Sequence, residues 1–487
     1  MKRHNAFGLM AGGVLCVALV VAMSGTALAE AAARRPAIRV TNFSPGETIR
    51  FPVVLIRGEL SDAKLEAVTV RNSSSKRAVR KWTALASEGK FKALAELVPG
   101  VNKLAISAGG KKVTLALNYK LQSNPYVVRV HYFVDKSGDT RFQTPLKNDP
   151  QNWRGKLDTA MKLMQTFTAE RLGDLGLGRR TFNLELDDRG RVKVHILKGR
   201  RDAEYYQKLT GGQLYGEAAG EIRRQFPHKR AKNLVIPAFT RFNPKTGKVG
   251  AHTALGGGNL ALFGGGDLFS WPDSIVGVQA AFMNATRVDP SKIFSDSVGR
   301  HTFWANASTT MGAALHEIGH TFGLPHSHDR HDIMTRGHDR LNRFFTLVEP
   351  PHARRKETLV FKDSEVARWS PVSGGALAAH RFFALDARAW KDAGKIVARV
   401  DKASGLVVIE SPYGLRYIGL WKVISGGHTM SIAPALIARR DKRPGKVTIP
   451  LAALKKRLGD VKLKFRIIDD EGLGSTVLLS SLLKQAS

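Results

Sequence analysis

Cysteine is almost missing from this sequence: Cys16 is the single one among 487 residues. It lies in the apolar start of the chain and follows Leu15 instead of a small residue, which argues against a lipid-modified leader. A mature chain without that leader has no thiol. Disulfides, cysteine metal ligands and a cysteine-based latency switch are then excluded. Acidic residues are also scarce, 41 against 76 Lys+Arg, for a formal charge of +35. This balance favours contact with anionic envelope or extracellular polymers, lipid headgroups or acidic proteins. A solvated basic surface with loose, non-specific binding is the simpler account and the preferred one. The basic residues are spread along the chain, which, with export, argues against a specific nucleic-acid role. Long apolar runs are lacking outside Leu9 to Met23, itself short for a membrane span. Lys2-Arg3-His4 precede that run and Ala27-Leu28-Ala29 follow it, so residues 1–29 read as a signal peptide. The expected location is secreted or periplasmic/cell envelope, with no transmembrane segment after cleavage; an uncleaved anchor is the alternative. Repeats and low-complexity segments are absent.

The most informative stretch runs from Met311 to Met334 and contains His316, Glu317, His320, Gly323 and His326, the pattern H-E-x-x-H-x-x-G-x-x-H. Residues four apart share one face of a helix, so His316 and His320 can present two imidazoles to one point. Zinc takes nitrogen ligands in a tetrahedral shell, and a catalytic site leaves one position open. Gly323 allows the helix to end and turn, Pro325 discourages its resumption, and His326 is carried back as a third ligand. Glu317 is then placed as the general base for a zinc-activated water. His328, His331 and His338, with Asp329 and Asp332, could bind a second metal, but an exposed polar loop is the simpler reading. His131 and His301 have no helical partner and read as structural.

These residues resemble the metzincin metallopeptidases, in which a methionine turn follows the third histidine. Asp332-Ile333-Met334 is similar to that turn, and its distance from His326, with Ser327 after the histidine, is similar to matrixins. The resemblance implies Met334 as an apolar floor under the metal. Astacin-type members add a tyrosine just beyond the methionine, and Thr335-Arg336-Gly337 offers none. Gly256-Gly257-Gly258-Asn259-Leu260-Ala261-Leu262-Phe263-Gly264, Ser270 to Ile275 and Arg340-Leu341-Asn342-Arg343-Phe344 sharpen the resemblance. So do Gly89 to Leu94, Pro99 to Leu104, Arg368-Trp369 and His380 to Leu385. Together they resemble a family of zinc metallopeptidases known largely from fungi, over roughly residues 50 to 390. Many fungal members end in a jacalin-like lectin domain, which the tail here does not match.

The expected architecture is multidomain. Short β-prone runs such as Val53 to Gly58, Ala67 to Val70, Phe91 to Ala95 and Val113 to Leu117, with a turn at Pro99 to Asn102, predict an immunoglobulin-like β-sandwich over 30–122. Residues 123–390 are expected to form a metzincin-like catalytic domain with a mixed, mainly parallel sheet and long helices. Its expected elements are a strand at Tyr126 to Val134, an amphipathic helix through Leu157 to Leu172, and strands at Phe182 to Leu186, Val192 to Leu197 and Asn233 to Phe239. Ala203 to Phe226 reads as partly helical, interrupted by Gly211-Gly212, and Pro371 to Gly375 as a loop. Residues 391–487 return to β-type patterning and predict a C-terminal β-rich domain. The glycine-rich stretch from Leu255 to Pro272 has three readings: a rim that pairs with an extended peptide, a cation loop using Asn259 and Asp267, or tight turns beside the site. The expected function is a secreted zinc endopeptidase acting on a peptide or protein substrate. The alternative is a surface-binding protein with an idle or non-peptidase zinc site.

Overall fold

The computed structural model describes residues 36–76, 81–424, 428–439, 441–459 and 461–485. The proposed signal peptide and Cys16 lie outside them. No helix among the described residues is long and apolar enough to cross a membrane. The chain is a multidomain α/β structure with several sheets.

The first eight strands are β1 (Ile38–Val40), β2 (Glu47–Ile49), β3 (Val53–Leu60), β4 (Ala67–Asn72), β5 (Lys81–Ser87), β6 (Lys90–Glu96), β7 (Gly100–Ala108) and β8 (Lys111–Tyr119). They follow one hydrogen-bonded path, β1-β3-β6-β5-β4-β7-β8-β2. Strand β5 joins the two halves: Lys81–Leu85 pair with β4, and Ala86 and Ser87 pair with β6. The expected turn at Pro99 to Asn102 is corrected, because β7 already starts at Gly100. The Asn102 amide folds back onto the Val98 and Gly100 carbonyls and its oxygen accepts from Val98 N–H, so side chain, not strand pairing, satisfies the preceding bend.

The central sheet is built from β9 (Val127–Val134), β10 (Asn183–Leu184), β11 (Val194–Lys198), β12 (Ala231–Pro237), β15 (Ala254–Gly257) and β16 (Leu260–Phe263); the hairpin β13 (Arg241–Asn243) and β14 (Lys248–Gly250) stands apart. Strands β10 and β11 both pair with β9, and the order then runs β12-β16-β15. Every pairing is parallel except β15 with β16. Side chains alternate between faces along each strand. Tyr132, Val134, Leu234, Ile236, Ala261 and Phe263 enter the core shared with helices α1 (Trp153–Asp174) and α5 (Phe303–Thr321). Phe133, Val235 and Leu262 point the other way, against α2 (Ala203–Gln207) and α3 (Gly211–Gln225). The sheet is thus covered on both faces, as a parallel sheet requires. The glycine pair does not interrupt the helical region. The break is at Lys208 to Thr210, and Gly211-Gly212 open α3 behind a Thr210–Gln213 capping box.

Between these parts lie α4 (Val278–Met283), strand β17 (His326–Ser327), α6 (Asn342–Phe345), the short pair β18 (Val348–Glu349) and β19 (Leu359–Val360), and α7 (Pro371–Ala379). Helix α7 corrects the expected loop. Pro371 fits the first helical position, and the Ser370 hydroxyl accepts from Ser373 N–H, so the small residues that follow are held as helix. The remaining strands are β20 (Val397–Asp401), β21 (Leu406–Glu410), β22 (Leu415–Val423), β23 (Thr429–Ile437), β24 (Lys446–Pro450), β25 (Leu463–Asp469) and β26 (Gly474–Leu478). They form a three-stranded sheet, β20-β21-β24, and a five-stranded one, β17-β23-β22-β25-β26, around their own apolar core. The amino-terminal sheet is fastened to the middle of the chain by polar contacts. Arg50 meets Asp386 at 2.6 Å, Thr166 Oγ1 donates to Val53 O, and buried Glu170 accepts from Asn42, Arg57 and Arg179.

Candidate metal centre

Helix α5 is buried along nearly its whole length, between the central sheet and the segment that follows it. Ala, Met and Leu favour the helix, and Gly312 and Gly319 let neighbours approach closely. A Cβ at Gly319 would overlap the Met334 sulfur. The helix ends in a Schellman turn: Leu324 N–H donates to Gly319 O, Gly323 N–H donates to His320 O, and Gly323 is left-handed at φ 78°.

That ending sets the geometry of the three histidines. The ring nitrogens of His316, His320 and His326 lie within 4.8 Å of one another. His316 Nδ1 donates to Ile333 O and His320 Nδ1 donates to Leu324 O, both at 2.8 Å. A carbonyl only accepts, so each Nδ1 carries the proton and each Nε2 presents a lone pair. The two Nε2 atoms stand 3.1 Å apart. Two lone pairs facing at that distance repel unless a cation lies between them, so the residues fit a metal. Burial, and then His320, push the His316 pKa down to about 3; burial also lowers His320 and His326. The shifts all favour the neutral form, which is the form a metal ligand needs. His326 is the exposed member.

Glu317 points into a drier place. It is 6% exposed, and burial pushes its carboxyl up to about 7. Strand β15 runs directly against it: a Cβ at Gly256 would overlap the Glu317 carbonyl. Tyr215 of α3 donates to Gly257 O at 2.8 Å, and its pKa is raised by burial and by the charge of Glu317. The glycine-rich stretch is therefore a hairpin, β15-β16, and a buried turn beside the site. Asn259 and Asp267 do not converge. Asn259 Oδ1 accepts from Lys232, whereas Asp267 is buried and accepts from Asp296 N–H.

The other polar residues near the methionine turn disperse to separate partners. Asp329 pairs with Arg368 at 2.8 Å, His331 faces Arg340, and His338 packs edge-on to His316. Asp332 is fully buried and accepts from Met334 N–H, Ser370 N–H and the Ser373 hydroxyl. The exposed-loop reading is corrected for Asp332 and His338, which are part of the packing behind the centre. Among the described residues, His316, His320 and His326 are the one group placed to share a metal. His131 is buried against Asn233 and His301 bonds to Ser295. Sequence reading missed Tyr215 and His428, the latter adding to burial in lowering the His326 pKa. Neither lies in a motif, and only tertiary packing brings them near.

The model of a family described as "Putative peptidase family" matches residues 37–407. A Schizosaccharomyces pombe protein named "Putative zinc metalloproteinase" is 31% identical over 335 residues, 64% of this chain and 54% of that protein. A Saccharomyces cerevisiae protein of the same description is 28% identical over 306 residues, 55% of this chain and 43% of that protein. The chain spans about half the length of these curated relatives. Among solved structures, wild-type OgpA from Akkermansia muciniphila overlaps 74% of this chain and 93% of its own, at TM-score 0.47 and 14% identity. Archaemetzincin from Methanopyrus kandleri overlaps 51% and 93%, at TM-score 0.22 and 13% identity. The family match covers the whole resemblance read from the sequence, zinc motif included, and the chain belongs to this peptidase family, whose fungal relatives are named zinc metalloproteinases.

Proposed function

We propose that this protein is a secreted zinc-dependent endopeptidase of metzincin type, with His316, His320 and His326 holding the metal and Glu317 as general base. One observation carries the reading: two Nε2 lone pairs face each other at 3.1 Å, with a third imidazole within 4.8 Å. His316, His320 and His326 would hold zinc, which would supply a Lewis acid for activating water and polarising a peptide carbonyl. Glu317 takes the proton of the attacking water and returns it to the leaving amine. Its dry surroundings make it a stronger base than an exposed carboxylate. Met334, fully buried against Gly319, forms the apolar floor under the histidines. Strand β15 ends the sheet, so its outer backbone groups are available to an extended peptide, which would add as a further strand.

The wider organisation belongs to the same proposal. Residues 30–122 are an immunoglobulin-like β-domain, 123–390 the peptidase domain and 391–487 a β-rich domain, with residues 1–29 removed on export. The substrate is a peptide or protein, and the basic excess holds the enzyme near anionic envelope or extracellular polymers. The test is hydrolysis of casein and a peptide library by the mature protein. Cleavage should stop on chelation, return with zinc and be absent in Glu317→Gln. One zinc per chain with no hydrolysis of any peptide would overturn the proposal.

A further inference from the structure

The third histidine is not held by the helix that carries the other two. His326 and Ser327 form β17, the outermost strand of the five-stranded sheet, and its neighbour β23 pairs with it in parallel, His326 opposite Met430 and Ser327 opposite Ser431. Strands β22, β23, β25 and β26 span Leu415 to Leu478, beyond residue 407 where the family match ends. The backbone of the third histidine is thus paired with a part of the chain beyond the family match.

Ser431 is the centre of this pairing. It is 1% exposed. Its carbonyl accepts from His328 N–H at 3.2 Å and lies 3.3 Å from His328 Nδ1, and its hydroxyl donates to the His326 carbonyl at 3.4 Å. On the opposite side, Ser327 N–H donates to Met334 O and to the Thr335 hydroxyl, which in turn donates to Ser327 O. Behind both, Asp332 binds Ser370 and Ser373 at the start of α7, and α7 packs on Tyr417 and Ile437 through Gly375. A two-residue strand has no stability of its own. Between the methionine turn and β23 it is clamped on both edges, so an exposed imidazole stands ready without being ordered by the metal.

We propose that Ser431 is a positioning residue for the third zinc ligand, and that the carboxy-terminal sheet is a working part of the metal centre. The proposal rests on the reading that His316, His320 and His326 hold zinc. In a parallel register opposite Ser327, both backbone groups of Ser431 face β17, and proline removes the N–H. Valine and threonine share a shape but only threonine keeps the hydroxyl.

The test uses the full mature chain as Ser431→Pro, Ser431→Val, Ser431→Thr and His326→Ala. Zinc affinity is measured by competition with a chromophoric chelator, and the site is read independently by the visible absorption of the cobalt-substituted protein. Ser431→Val should weaken zinc about tenfold and Ser431→Pro about 100-fold, with cobalt bands moving toward those of His326→Ala. Ser431→Thr should retain the parent affinity and spectrum. If Ser431→Pro does not fold, the valine and threonine pair decides. Folded Ser431→Val with the parent's affinity and cobalt spectrum overturns the proposal. If His326→Ala also leaves both unchanged, the zinc assignment itself fails; if His326→Ala loses zinc while the Ser431 variants do not, this proposal alone fails.

Discussion

The two halves of the proposed metal centre are held by different kinds of structure. His316 and His320 sit on a buried helix, and each is pinned through Nδ1 by a carbonyl from the turn or loop that follows. His326 stands exposed on a short strand and is held through its backbone, between the methionine turn and β23. The helical half takes its rigidity from burial and from partners near in sequence. The strand half takes it from residues far along the chain. A histidine cluster compact in sequence is thus in contact with a distant sheet.

Removing a proposed ligand from each half is the strongest way to probe this difference. His320→Ala leaves one helical histidine and one exposed histidine, and should weaken zinc by at least about 1,000-fold. His326→Ala leaves the preorganised helical pair and should cost less. Chelator competition on both variants checks the order, and equal losses would mean that the helix confers no advantage. Glu317→Gln should separate holding from chemistry. Hydrolysis should fall by about 100- to 10,000-fold while zinc affinity stays within about threefold of the parent; a parallel loss of zinc would show Glu317 to be structural.

Asp332 supports the strand half, because it bonds the turn at Met334, which holds Ser327, to α7. Asp332→Ala strands three donors in a dry place and should destabilise the fold by about 3–5 kcal/mol, read in urea unfolding. Gly256→Ala acts on the helical half alone. The new methyl must displace β15 from the Glu317 carbonyl, at a cost of about 1–3 kcal/mol and with loss of peptide hydrolysis. An unchanged melting temperature would mean that β15 yields freely.

The smallest effect on the centre itself is expected from a group that lies away from it and serves as its control. Lys92 of β6 donates to Arg343 O and Thr346 O in the seam below the amino-terminal sheet. Burial and then Arg171 lower its pKa from 10.5 to about 7. Between those values the unfolded chain binds the extra proton, so stability rises as pH goes from about 7 toward 10, and the penalty is full below 7. At about 1.4 kcal/mol per pKa unit the rise should be several kcal/mol, on the order of 3–5, and absent in Lys92→Met, with zinc affinity unaltered. Urea unfolding across that pH range checks it; the same slope in Lys92→Met would assign it to another group.

Local pattern made part of this legible. The Schellman ending at Gly323, the strands β9 and β12 and the helix α1 all follow from spacings within a few residues. The loop expected at Pro371 to Gly375 shows the limit: small residues suggested a loop, although Ser370 and Pro371 already marked a helix start. The role of α3 as cover for the second sheet face was not legible, because its apolar stripe does not name the surface it meets.

From the sequence alone came the histidine cluster, the helix that presents two of its members, the carboxylate beside them and the turn that returns the third. These depend on interactions closed within one turn of chain, which residue spacing encodes directly. Only the tertiary structure decided that β15 lies on Glu317, that Asp332 and His338 are packed behind the site, and that β23 pairs with His326. Those contacts join residues tens to a hundred positions apart, and what selects them is the burial of complementary surfaces, which has no period in the sequence.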